Sequence, residues 1–139
     1  AFSIPAEEPS PSLYLFESAI DLLSFATMAQ EDRLPWRSQH LLSLAGVYQP
    51  KKNLAERRLP LALSQYLRDH REIQTIYLCL DNDLAGRSAA DAIRQQLAGK
   101  YVVRDGFPCQ GKDYNDWLCL RKGLPITRTV PKTERSIAR

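Results

Sequence analysis

The sequence predicts an open α/β domain, with a mainly parallel four-stranded sheet flanked by helices on both faces. Short apolar runs alternate with helix-patterned stretches along most of the chain, the order that builds parallel strand pairs through crossover helices. The runs show no polar alternation, as expected of strands covered on both sides. Acidic residues gather at the ends of several runs, at the edge where ligands sit in open sheets of this kind.

The elements follow in order. Residues 1–12, AFSIPAEEPSPS, read as a Pro/Ser-rich linker. The first residue is not Met, so a piece of a longer protein is expected. Residues 13–16 form the first strand, and Ala19, Ile20, Leu23, Ala26 and Thr27 then recur at helical spacing. Residues 41–45 form the second strand, ended by Gly46. Leu61, Leu63, Tyr66 and Leu67 mark a second helix that closes near His70. The third strand spans 73–80. The helix after it runs through Ala89, Ala90, Ile93 and Leu97, with Gly99 as its C-terminal cap. Residues 101–103 supply the fourth strand, and 114–120 a last short helix. The domain thus covers 13–122, and 123–139 form a basic tail. Trp36 and Trp117 are expected to pack, although Trp36, in a polar loop, is also placed to meet a partner. His40 and His70 read as surface residues.

Composition narrows the class. The chain has 139 residues, 44% of them apolar and 25% charged, which suits a single soluble domain. No apolar run approaches the ~20 residues needed to span a bilayer. Cys79, Cys109 and Cys119 are odd in number and lack CxxC spacing, which argues against a disulfide framework or a zinc site and fits a reducing cytoplasm. The formal charge of +3 is uneven: residues 121–139 hold six Lys/Arg and one acid, leaving 13 basic against 15 acidic residues elsewhere. Lys51, Lys52, Arg57 and Arg58 form a second basic cluster. Both patches can meet nucleic-acid phosphates or simply be solvated.

The acids carry the chemistry. Glu17 ends the first strand, with Asp21 one helical turn later on the same face. Asp81 and Asp83 end the third strand in the stretch LCLDNDLAGRSAADAI. If the backbone stays extended through Asn82, both project to one side about 6.6 Å apart. Their repulsion at an effective dielectric of ~20 is then on the order of 2.5 kcal/mol, a cost that a cation offsets. A third carboxylate from another strand would complete an oxygen-rich site suited to Mg²⁺ or Mn²⁺. The plainer alternative makes Asp83 a helix N-cap and Asp81 a solvated loop residue. An EF-hand is excluded, because Ala85 and Ala92 stand where a calcium loop needs oxygen ligands. Gly86 either lets the helix start approach a ligand closely or serves as a turn glycine. Lys112 can reach a phosphate or pair with one of the acids, and Arg87 is a candidate phosphate contact.

Three stretches, LFESAID, LCLDNDLAGRSAADAI and GKDYNDWL, resemble in order and spacing the TOPRIM domain, the Rossmann-like catalytic module of primases, topoisomerases and some nucleases. The DNDxAGRxAA and KDxND forms are most similar to the primase type encoded by mobile elements. The resemblance implies Glu17 as a general acid or base, Asp81 and Asp83 as ligands of Mg²⁺ or Mn²⁺, and Asp21, Asp113 and Asn115 as further members of the site. It also implies nucleic acid, nucleotides and other domains of the same polypeptide as partners. The expected activity is nucleotidyl or phosphoryl transfer in a primase-like protein; a nuclease and a non-catalytic binding module are the alternatives. Two departures stand out. Ser18 occupies the place of the family's usual glycine, and Asn115 that of an aspartate.

Overall fold

Among the described residues, nine regular elements and one short 3-10 turn position the acids. The computed structural model describes residues 1–44 and 59–126. Gly46, Lys51, Lys52, Arg57 and Arg58, and the tail from 127 onward, lie outside the described residues. In chain order the elements are β1 (Phe2–Ile4), β2 (Ser12–Phe16), α1 (Ala19–Glu31), β3 (His40–Ser43), α2 (Leu61–Asp69), β4 (Thr75–Leu78), α3 (Leu84–Leu97), β5 (Val102–Asp105) and α4 (Tyr114–Arg121).

The sheet order is β1-β3-β2-β4-β5. The four expected strands pair in parallel, β3 with β2, β2 with β4 and β4 with β5. The fifth strand corrects the sequence reading. Phe2–Ile4, taken as linker, pairs antiparallel with β3, with Phe2 opposite Ser43 and Ile4 opposite Leu41. The Ser43 hydroxyl donates to the Phe2 carbonyl at 3.2 Å. An edge position explains why this strand carries so little apolar signal: one neighbour suffices to satisfy it, and Phe2 remains 41% exposed.

Side chains alternate across the sheet and define two cores. Leu13, Leu15, Leu42, Ile76, Leu78 and Leu80 face α2 and α3, meeting Leu63, Leu67, Ala89, Ala90, Ile93 and Leu97. Phe16, Leu41 and Cys79 face the other way, toward α1 and α4, with Tyr14 and Tyr77 stacked at 4.5 Å between ring centroids. Trp117 packs on Tyr114, and Trp36 packs against this second core while its indole N–H donates to Gln30 at 2.9 Å. Arg121 joins Asp32 at 2.8 Å, tying the end of α4 to the end of α1. Gly99 follows α3 with φ +82°, the left-handed conformation that ends helices.

The two helix layers determine where a crevice opens. The connection leaving β2 enters α1 on one face, whereas that leaving neighbouring β4 enters α3 on the other. Adjacent strands whose exits diverge form the switch point at which open α/β sheets bind ligands. Glu17 and Asp81 lie at those two exits.

One histidine departs from expectation. His40, at the start of β3, is 2% exposed, and its ring touches Tyr66 and His70 at the amino edge of the sheet. A single polar residue heading a strand gives no sequence signal for burial, because its partners come from α2 and the turn after it.

Removing residues 1–6 should lower unfolding free energy by about 1–3 kcal/mol, the scale of a few net hydrogen bonds, and open the β3 edge to self-association. Denaturant titration and sedimentation measure both effects; unchanged values in both would show that β1 contributes nothing.

Candidate functional site

Three helices begin at the carboxyl edge, and each start is built by an acid or hydroxyl of the motifs. Ser18 caps α1: its hydroxyl accepts from the Asp21 N–H at 3.3 Å and donates to the Asp21 carboxylate at 2.9 Å. Its backbone is extended (φ −135°, ψ 159°), so this chain does not need the family's glycine there. Asp83 caps α3, accepting from the Gly86 N–H at 2.7 Å. Asp113 caps α4, accepting from the Asp116 N–H at 2.8 Å. Three helix N-termini therefore aim their partial positive charge at one edge.

The acids meet there. Glu17 is 5% exposed, and its carboxylate accepts the Asp81 backbone N–H at 3.2 Å, linking the exits of β2 and β4. Asp21 accepts from the Asn115 N–H at 3.1 Å, which brings α4 onto α1. Asp21, Asp81 and Asp113 each offer a carboxylate oxygen within 4.8 Å of the others. Lys112 places its ammonium 3.8 Å from Asp81 and 3.5 Å from Asp83. Both carboxylates thus face one cation, as the expected same-side projection requires.

The electrostatics are those of crowded acids. Burial pushes Asp81 up to about 7, helped by the charges of Glu17, Asp21 and Asp113 and opposed by Lys112. Burial also raises Glu17, with Asp83 and Asp21 adding to it and the Asp81 N–H opposing. Asp21 is raised by burial and by Asp113, against the hydrogen bonds from Asn115 and Ser18. Oxygen donors in this number, held close at an energetic cost, fit a hard divalent cation. Asp21, Asp81 and Asp113 are the group that could hold such an ion.

The other expected residues divide. Asp83 spends one oxygen on its cap, as the plainer reading had it, and turns the other to Lys112. Asn115 joins the site through its main chain, while its amide oxygen receives the Ser24 hydroxyl at 3.4 Å. Arg87 lies on the rim, its guanidinium donating to Asn82 at 2.6 and 3.0 Å and resting 4.9 Å from the centre of the Phe107 ring. Gly86 packs against the backbone of Asp81. A Cβ on it would sit 1.9 Å from the Asp81 carbonyl oxygen, so its lack of side chain lets α3 start directly against the exit of β4. Lys51 and Lys52 lie outside the described residues.

One contributor went unassigned in the sequence reading. Asp116 is 3% exposed and accepts the Lys112 N–H at 2.9 Å, while its own N–H caps on Asp113. It holds the loop that carries Lys112. The signal was present as D-x-x-D ahead of a helix, a variant of the reciprocal cap.

A protein-family model described as Toprim-like matches residues 14–118. No curated protein matches the chain.

Two outcomes follow from this geometry. Gly86→Ala should destabilise the fold by about 1–3 kcal/mol or more, because the methyl group meets backbone rather than a movable side chain; calorimetric melting reads it. The second concerns Asp81. Its folded-state pKa exceeds its unfolded value, so the native state holds the proton more tightly and stability falls as pH rises from about 4 to about 7. Asp81→Asn should therefore stabilise the metal-free chain by about 1–3 kcal/mol at pH 8 and change little at pH 4. Equal shifts at both pH values would contradict the assigned crowding.

Proposed function

The chain belongs to the Toprim-like family, a fold for metal-dependent processing of nucleic acid, and from that premise we propose that it is the nucleotidyl- or phosphoryl-transfer module of a primase-like protein. The observation that carries the proposal is the convergence of Asp21, Asp81 and Asp113 beside Glu17 in the crevice between the β2 and β4 exits. The primase-like form of the DNDLAGRSAA and KDYND stretches supports the finer assignment.

In this reading Asp21, Asp81 and Asp113 hold Mg²⁺ or Mn²⁺. Asp83 shapes the field from its cap, and Asn115 fixes Asp21 through its N–H. A bound divalent ion supplies neutralisation and orientation of phosphate oxygens during in-line displacement. Glu17 moves the proton at the attacking or leaving hydroxyl; its raised pKa keeps it capable of both states nearer neutrality. Lys112 supplies a positive charge beside Asp81 and Asp83, within reach of a phosphate that approaches them. Arg87 extends that positive rim and, as an exposed guanidinium, is suited to a nucleic-acid phosphate. Lys51 and Lys52 are proposed as further phosphate contacts.

A single assay separates the possible activities. The chain, within its full-length protein, is incubated with single-stranded template, nucleoside triphosphates and Mn²⁺. New oligonucleotides are expected, with Asp81→Asn and Glu17→Gln each lowering their yield on the order of 10²-fold or more. Shortened template would replace the primase assignment with a nuclease using the same acids. Neither product, with template still bound, would replace it with a binding module.

A further inference from the structure

A second group of ligand-type side chains lies at the opposite edge of the sheet. His40 heads β3, His70 caps the C-terminus of α2, and Glu72 sits in the turn before β4. One nitrogen of each histidine and a carboxylate oxygen of Glu72 lie within 4.8 Å of one another. The Glu72 oxygen is 2.9 Å from His40 Nε2 and 3.7 Å from His70 Nδ1. Ligands about 2.0–2.2 Å from a tetrahedral zinc ion stand roughly 3.3–3.6 Å apart, and these two distances bracket that spacing. The geometry points to a transition-metal site, fitted to Zn²⁺, formed by His40 Nε2, His70 Nδ1 and Glu72, distinct from the acid cluster at the carboxyl edge.

The donor set differs in kind from the other edge. Two imidazoles and one carboxylate suit a borderline ion such as Zn²⁺, whereas all-oxygen sites suit Mg²⁺ or Mn²⁺. His40 and the turn after α2 are held in place before any ion arrives. The His40 ring is 2% exposed, and Tyr66 Oη lies 2.8 Å from its Nδ1. His70 and Glu72 are 26% and 35% exposed at their side chains, so the fourth position faces solvent and a water can complete it.

The proton balance is specific. Without metal, His40 Nδ1 accepts the Ala6 N–H at 3.3 Å, so the ring proton is on Nε2, toward Glu72. An ion at Nε2 takes the place of that proton, which moves to Nδ1 and is donated to the Tyr66 oxygen. The hydroxyl turns from donor to acceptor without leaving its position, and the long Ala6 bond is given up. Zinc at this site therefore loosens the chain just after β1 while joining β3 to the end of α2.

Cobalt substitution tests the site on the whole chain. With excess Mg²⁺ present to fill the acid cluster, one Co²⁺ per chain is expected to give intense visible d–d bands, displaced by Zn²⁺, with Ala6 amide exchange accelerating on binding. His70→Gln and Glu72→Gln, both at partly exposed side chains, should each weaken binding by about tenfold or more; Asp81→Asn should leave it unchanged. Bands that persist undiminished in His70→Gln and Glu72→Gln, a thiolate charge-transfer band placing the ion on cysteine, or no saturable binding would each overturn the assignment. Circular dichroism of the two variants checks that lost binding is not lost folding; if either is unfolded, binding in the other decides the question.

Discussion

Like charges held together at one strand edge are the constraint around which the rest of the structure is arranged. Asp21, Asp81 and Asp113 present oxygens within 4.8 Å of one another. At an effective dielectric of ~20, each ionised pair at that distance costs about 3–4 kcal/mol. Three such pairs total on the order of 10 kcal/mol, comparable with the whole stability of an ordinary domain. The helix N-termini that point at the cluster return about 0.3–1 kcal/mol each, and Lys112 supplies a single charge at 3.5 to 3.8 Å from Asp83 and Asp81. These offsets fall short. What closes the difference is a proton, which is why burial and neighbouring charge carry Asp81 up to about 7, or a divalent cation. Arrangements that spend stability this way cluster at functional sites.

The scaffold serves that crowding at every level. Helices on opposite faces leave the exits of β2 and β4 in divergent directions, which opens room between them. The Glu17 carboxylate then spans the gap by accepting the Asp81 N–H, so the same group that faces the crevice also holds its two walls together. Gly86 contributes by absence, since any side chain there would push α3 away from Asp81. Asp116 holds the Lys112 loop from below. Replacing any of these would move a charged group by ångströms in a region where energies change steeply with distance.

Much of this was readable from the residues. The four parallel strands, the helices between them and the acids at their ends follow from apolar runs and from the DND, KDYND and FESAID stretches, because buried parallel strands carry a strong local signal. The features that escaped are those fixed by distant partners. β1 is a three-residue edge strand that β3 alone secures. His40 is buried because Tyr66, Glu72 and Ala6 surround it, and none is adjacent in sequence. Asp83 is a different case: read from the sequence as either a metal ligand or a helix N-cap, it has an extended backbone and accepts the Gly86 N–H with one oxygen while the other faces Lys112. Local pattern gives the position of an acid; which of its oxygens is already engaged depends on the helix it starts.

The division of labour between the two oxygens of Asp83 bears on how the site meets a phosphate. One oxygen is fixed by the start of α3, so the other cannot swing freely, and it faces the Lys112 ammonium at 3.5 Å. Lys112 is held at its backbone by Asp116 but has a long, partly exposed side chain. Its charge therefore sits on a longer and more exposed side chain than the two carboxylates it faces. On the proposed reading, the ammonium is drawn to Asp81 and Asp83 while they lack another cation, and a divalent ion meeting their charge would weaken that attraction and free the ammonium for a phosphate. On that reading the crowding of acids and the positive charge beside them would act in sequence rather than in opposition, because satisfying the first would free the second.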